Sequence, residues 1–295
     1  MMYRSAAVNH GFRARVVADS ESSEDGTRLI TFELRYPRFI HAELMTHRVF
    51  SRNASSSRAI PVNNMIEQVD RDYAMPIHWG KNQKGMQASE EIGDVDYAKS
   101  LWKQAKNAMV DTAGLMRDFG LHKQVVNRIL EPFQYINVVV TATEWDNFFE
   151  LRDHPDAQPE IQMLARTMQQ AMDLSDPVVL NPGEWHLPYI DSSEELTLEE
   201  AMKCSTARCA RVSYVTFDMK PPTKENDFRL FDQLITSEPQ HASPAEHQAT
   251  PMSGNGALKD AIMPSTWEPG ITHMDRDFGL WSGNLRSWIQ HRQII

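Results

Sequence analysis

Cysteine is nearly absent from this chain, which has only Cys204 and Cys209. Two thiols cannot staple a disulfide-dependent fold, so a reducing compartment is expected. No Cys-x-x-Cys pair points to a structural zinc. Long apolar runs are missing as well. No stretch approaches the roughly 20 apolar residues of a membrane span. The opening "MMYRSAAVNHGFRARVV" lacks the apolar run of a signal peptide. A cytoplasmic protein with no membrane partner is the expectation. Positive charge is in deficit: 30 Lys and Arg face 40 Asp and Glu, a formal net charge of −10. Such a chain has no general attraction for nucleic acid, so an anion site must be built locally. There is no internal repeat and no long disordered linker.

What is present reads as one α+β domain over 1–295, with 41% hydrophobic and 24% charged residues. Residues 13–19 and 28–36 are rich in β-branched residues and partly alternate, so they read as strands, the second broken by Pro37. Apolar spacing predicts helices over 38–50, 97–119, 121–130, 144–152, 158–174 and 197–214. The last of these carries acidic residues near its start and basic ones near its end, the polarity a helix dipole favours. "FQYINVVVTAT" (133–143) is the strongest strand signal. Segment 82–94 reads as exposed, 175–190 as irregular and proline-rich, and 223–236 as amphipathic. The Trp- and Met-rich stretch 252–295 reads as a C-terminal extension that either covers a site or makes an interface.

"THRVFSRNASSSRAIP" (46–61) stands out. Ser55, Ser56, Ser57 and Arg58 offer hydroxyls, free amides and a guanidinium fork, the groups that cradle a phosphate. His47 and Arg48 precede them. The plainer reading is a solvated loop whose arginines pair with acids. Other segments weigh against that reading. Asn147 and Arg152 follow the strongest strand, a common place for functional groups, and Arg128 lies just before it. For Arg152 the plainer reading is a salt bridge with Asp153 or Glu160. "HASPAEHQATP" (241–251) carries His241, Glu246 and His247. Adjacent helical residues point about 100° apart, so Glu246 and His247 do not converge on a metal. No metal is expected. Ser243, Pro244 and Glu246 instead fit a helix start with a capping box.

Taken together these motifs resemble the flavin-dependent thymidylate synthases. That family's signature is R-H-R-x-x-S-x-N-E-x-S-x-R-Y. His47, Arg48, Ser51, Asn53, Ser56 and Arg58 match it, while Thr46, Ala54 and Ala59 depart from it. Asn147–Arg152 and Ala157–Ile161 resemble the family's "N-F-x-x-L-R … A-Q-x-E-I" pair. "CARVSY" and "HASPAEH" resemble two further motifs, which in the family precede the arginine-histidine-arginine segment and here follow it. The order implies a circularly permuted chain with an antiparallel-type sheet and flanking helices. "QHR" (290–292) is a second partial match to R-H-R, so either histidine-arginine pair, or both, lines the cofactor.

The resemblance implies a homotetramer with FAD bound between subunits, and dUMP, methylenetetrahydrofolate and NADPH as small-molecule partners. Methylenetetrahydrofolate would give its one-carbon unit to C5 of dUMP, with reduced FAD as reductant, yielding dTMP. By carry-over, Glu43, Ser56, Ser57, Arg58, Arg128 and Arg152 would bind the nucleotide. His47, Arg48, Asn53, Asn147, Ser213, Ser243, Glu246, His291 and Arg292 would bind FAD. Arg152, His241 and Ser56 would serve catalysis, with His241 near the folate. The chemistry suits these types: a phosphate takes arginine and hydroxyl donors, and charge developing on a pyrimidine is met by a guanidinium. No catalytic cysteine is required.

Several positions depart from the family pattern. Glu43 stands where glutamine is usual, Ala54 replaces glutamate, and Thr141 and Thr143 stand where many members have Asn and Arg. These departures keep two alternatives open. One is modification of another pyrimidine nucleotide, such as hydroxymethylation or action on dCMP. The other is a catalytically silent nucleotide-binding relative.

Overall fold

In the computed structural model, residues 5–212, 222–253 and 264–295 are described. The chain opens with β1 (Ser5–Asn9), β2 (Phe12–Ser22) and β3 (Arg28–Pro37). His10 and Gly11 both take positive φ, 47° and 85°, as a two-residue hairpin turn requires. A Cβ on Gly11 would sit 2.6 Å from the Tyr135 hydroxyl, so glycine is also needed there for space.

A 3-10 turn (Arg38–Ile40) leads into α1 (His41–Leu44), and β4 (Ser51–Ala54) follows. The helix expected over 38–50 therefore stops at Leu44. Thr46 Oγ1 donates to the Glu43 carbonyl (2.7 Å), and Arg52 donates to the carbonyls of Met45 and His47 (2.9 Å each). Side chains thus take carbonyls that a continuing helix would bond to its own amides.

Next come α2 (Val62–Arg71), α3 (Val95–Asp118) and α4 (Lys123–Val126). The helix expected over 121–130 is only α4, because the chain tightens into a 3-10 run over Asn127–Phe133 that contains Pro132. β5 (Tyr135–Ala142), α5 (Asp146–Arg152) and α6 (Pro159–Asp173) match the predicted elements closely. β6 (Val178–Leu180) lies inside the stretch read as irregular.

Among the described residues the main sheet runs β1-β2-β3-β5-β4, antiparallel throughout, with β6 pairing parallel to β2. The sheet is thus antiparallel with one parallel edge pair. One face carries Phe12, Val16, Phe32, Leu34, Val138 and Val140. α6 covers it with Ile161, Leu164, Ala165, Met168 and Ala171, spaced as one helical stripe. Each buried Leu, Ile, Val or Phe there contributes about 1.5–3 kcal/mol. The other face is polar at Thr31, Glu33 and Thr141, all buried.

The second face is met by the rest of the chain. α7 (Leu198–Arg211) starts in a full capping box, Thr197 with Glu200, and brings buried Cys209 against Val17 and Val139. Buried Arg208 pairs with Glu194 (2.6 Å) and Asp227 (2.9 Å), tying α7 to α8 (Lys224–Phe231), which ends in a π turn over Asp232–Thr236. After a 3-10 turn at Ser243–Glu246 come β7 (Ala249–Pro251), β8 (His273–Met274), β9 (Leu280–Ser282), β10 (Leu285–Arg286) and β11 (Trp288–Gln290). β11 pairs antiparallel with β7, and Trp288 is fully buried with Leu29, Ala249 and Leu285. Among the described residues no helix is long and apolar enough to cross a membrane.

Candidate functional site

The loop after α1 is anchored at both ends. Phe50 is buried against Trp145 and Phe148, with ring centroids 4.7 and 5.3 Å apart. β4 then docks on β5 with Ser51 opposite Thr141 and Asn53 opposite Val139. This brings His47 under the end of α5, where Arg152 sits. Arg152 Nε donates to His47 Nε2 (2.9 Å), and its Nη2 donates to Thr46 Oγ1 (3.1 Å). Its Nη1 lies 3.5 Å from Glu43 Oε2.

His47 packs edge-on to Phe148 at 4.9 Å. Burial, with help from the Arg152 and Arg52 guanidinium groups, lowers its pKa to about 4. The ring is therefore neutral near pH 7. Since Nε2 accepts from arginine, its proton is on Nδ1. Burial raises the Glu43 pKa, and Arg152 opposes that rise. The carboxylate is thus turned onto a guanidinium. Arg152 does not pair with Asp153 or Glu160: Asp153 takes Arg166 (2.6 Å), and Glu160 accepts from the Ile77 amide (2.9 Å). Arg152 also lines an open cavity of about 390 Å³ with Glu150, Leu151, His154, Asp156 and Ala157.

A second cluster forms behind the serine-rich turn. Glu131 Oε1 accepts from Ser57 (3.0 Å) and Arg128 (2.7 Å), and lies 3.1 Å from Arg38 Nη2. Two of the expected phosphate ligands, Ser57 and Arg128, are therefore committed to an internal carboxylate. Ser56 and Arg58 are exposed on the same turn.

The third cluster joins distant parts of the chain. The Asn53 carboxamide lies 3.4 Å from Ser243 Oγ and 3.0 Å from His247 Nε2. Gln290 Nε2 donates to Ser51 Oγ (3.2 Å) and to the Glu246 carbonyl (3.0 Å). Glu246 pairs with Arg292. The capping box expected at Ser243 does not form: Ala242 holds the N-cap position, and no side chain caps the turn. Its glutamate is drawn to Arg292 instead. His291 is buried, which lowers its pKa to about 4. His291 Nδ1 has no hydrogen-bond partner among the described residues. Arg48, Asn147 and His241 are exposed, and Ser213 lies outside the described residues.

The family model for thymidylate synthase complementing protein matches residues 9–178. The chain belongs to this family. Similar solved structures include a UMP/dUMP methylase, PolB, from Streptomyces cacaoi bound with 5-Br dUMP. It is 20% identical, with 51% of this chain and 68% of that chain covered and a TM-score of 0.42. The same enzyme bound with 5-Br UMP gives 19% identity, 55% and 88% coverage and a TM-score of 0.44. Thymidylate Synthase X from Helicobacter pylori with FAD and dUMP gives 16%, 49% and 67%, and 0.37. No curated protein matches the chain.

The family match encloses Glu43, His47, Arg48, Asn53, Ser56, Ser57, Arg58, Arg128, Asn147 and Arg152, and excludes His241, Ser243, Glu246, His291 and Arg292. Several residues at these clusters were not singled out as site residues by sequence reasoning. Arg52 ties down the loop that carries the family signature, and no local pattern marks it. Glu131 gathers three donors, a role visible only once Arg38 and Ser57 are brought to it. The departures from the family pattern also find partners. Thr143 Oγ1 accepts from the Arg286 amide (3.1 Å), and Arg286 Nε donates to Glu144 (2.6 Å), so the C-terminal stretch brings an arginine to the strand end. Burial pushes the Cys204 thiol up to about 12 and the Cys209 thiol higher still. Neither is a poised nucleophile.

Proposed function

We propose that the protein transfers a one-carbon unit from methylenetetrahydrofolate to C5 of dUMP with reduction by FADH2, giving dTMP, and that NADPH restores the reduced flavin. The observation that carries this reading is the Arg152 cluster. A guanidinium is held by neutral His47, Thr46 and Glu43 at the edge of an open cavity. Held this way, it can hydrogen-bond a pyrimidine edge and stabilise negative charge developing on the ring. Neutral His47 orients the fork without adding a competing charge. The phosphate of dUMP would be met by the exposed Ser56 and Arg58, with Ser57, Arg38 and Arg128 reached by displacing Glu131.

The donor set of the third cluster fits FAD. It offers the Asn53 carboxamide, the Ser243 hydroxyl and the orphan His291 Nδ1, with the Arg48 guanidinium exposed on the neighbouring loop. Asn147, Ser213, Glu246 and Arg292 complete the proposed ligand set, and His241 is placed on the folate side. When bound and reduced, FAD supplies the hydride that no side chain here can supply. The contacts between β4 and residues 243–292 support a permuted chain order that keeps the family's site together. The reading places the cofactor between subunits of a homotetramer. The exposed Tyr97, Leu101 and Leu115 along α3, with Phe119 just past its end, offer apolar surface for such contacts.

The test is the flavin absorption of the purified protein, recorded before and after NADPH and again after dUMP and methylenetetrahydrofolate. A band that bleaches and recovers while dTMP appears by mass supports the reading. A different product mass moves the substrate to another pyrimidine nucleotide. No band after reconstitution with FAD overturns the flavin assignment.

A further inference from the structure

A chain of buried polar side chains runs from the second face of the sheet to Asn53. Ser20 Oγ lies 2.9 Å from His186 Nδ1, and His186 Nε2 lies 2.8 Å from Thr31 Oγ1. Thr31 Oγ1 lies 2.7 Å from Thr141 Oγ1, its partner across the β3–β5 ladder. Thr141 Oγ1 lies 2.8 Å from His247 Nδ1, and His247 Nε2 lies 3.0 Å from the Asn53 carboxamide. Thr31, Thr141 and His247 are wholly buried, and His186 and Ser20 nearly so.

Each threonine hydroxyl in this chain has one proton and a partner on both sides. It must donate one way and accept the other. If His247 carries its proton on Nδ1, it donates to Thr141. Thr141 then donates to Thr31, Thr31 donates to His186 Nε2, and His186 carries its own proton on Nδ1. If His247 is protonated on Nε2, every bond in the chain reverses and His186 is protonated on Nε2. A mixed pair leaves one contact with two protons or none, a buried polar group left unmatched.

We propose that His186 and His247 share one tautomer through this chain, and that the shared tautomer decides which end of the Asn53 carboxamide faces a ligand. The local geometry selects the polarity. With its nitrogen toward His247, Asn53 donates to His247 Nε2 (3.0 Å) and to the carbonyls of Ser243 and Arg52 (3.2 Å each). Both histidines are then protonated on Nδ1. The Asn53 oxygen is left on the Ser243 side as an acceptor, for a ligand that brings an N–H or O–H donor. His186 and His247 act as positioning residues. Only the ligand consequence rests on Asn53 belonging to the proposed cofactor site; the shared tautomer does not.

The experiment is long-range 1H–15N correlation NMR on protein with 15N-labelled histidine and no ligand added. Nitrogen shifts are expected to show Nδ1–H for both His186 and His247. Opposite tautomers, or an imidazolium at His186, overturn the chain. Asn53→Asp offers only acceptors to His247, so both histidines are expected to switch to Nε2–H. A folded Asn53→Asp protein in which His247 carries its proton on Nε2 alone while His186 keeps Nδ1–H overturns the proposal. Adding Thr141→Val should abolish the response of His186, and Thr141→Ser should keep it. These signals are read without flavin or nucleotide, so they stand or fall apart from the proposed reaction.

Discussion

His47 and His247 are both buried, and both bond to named partners, yet they are held in opposite ways. His47 sits against Arg152, which lines an open cavity, and burial with the Arg152 and Arg52 charges lowers its pKa to about 4. His247 is sealed between a threonine and an asparagine, and burial alone lowers its pKa to about 3. The first setting is charged and borders solvent, so an arriving anion changes its balance. The second is neutral and closed, so it holds geometry regardless of what binds outside. The molecule thus separates a responsive cluster from a fixed one, about the strand pair β4 and β5.

The largest effect should come from breaking the responsive side. Arg152→Ala is expected to lower turnover by about a hundredfold or more, the scale for removing a donor from developing charge. Bound flavin should fall much less, and His247 should keep its tautomer. Steady-state kcat and flavin content on the same preparation check this. Equal loss of both would place Arg152 on the cofactor instead of the pyrimidine. Next in size is Arg58→Ala: if Arg58 meets the phosphate as proposed, the variant loses a charge-assisted contact of about 1.5–3 kcal/mol and should weaken dUMP by more than about tenfold. Calorimetric titration reads this directly. An unchanged Kd in a folded variant would remove the serine-rich turn from the site.

Acid should weaken both sides together. His47, His247 and His291 all have folded pKa values depressed below the ordinary 6.5, to about 4, 3 and 4. Below 6.5 the unfolded chain binds protons that the folded chain refuses. Stability is therefore full above 6.5 and declines as pH falls from there toward 4. Urea midpoints at pH 7 and pH 5 test this, since most carboxylates titrate below that window. Equal midpoints would mean that these rings are more hydrated than their contacts indicate.

The predicted elements that matched are those with local periodicity. The strand read over 133–143 is Tyr135–Ala142, and the helix read over 97–119 is Val95–Asp118. The misread elements fall into two kinds: the helices over 38–50 and 121–130 are cut short by local side-chain contacts and a 3-10 run, and the others are set by distant partners. β6 forms because Val178–Leu180 finds β2, far back in the chain. At Ser243 the local pattern favours a capping box, but Arg292 takes the glutamate and Asn53 comes to lie beside the serine. The candidate site shows the same division. Glu43, His47 and Arg152 were legible as types in a motif, while their mutual contact was not. The chain through Thr31 and His186 was invisible, because nothing local marks a threonine in a strand as a hydrogen-bond bridge.

The smallest effect is also the sharpest test of the contrast between the two histidines. In Arg152→Gln, His47 loses a positive neighbour, so its pKa should rise above about 4. The rise should stop short of the ordinary 6.5, because burial is the largest cause of the shift and remains in place. His247 feels burial alone, so its titration should not move. Histidine NMR titration of the wild type and the variant measures both rings in one experiment. If His47 stays where it was, the guanidinium contributes nothing to its charge state, and the cluster is no more responsive than the chain behind it. If both rings move, the two regions are coupled through β4, and the separation between a charged edge and a neutral interior does not hold.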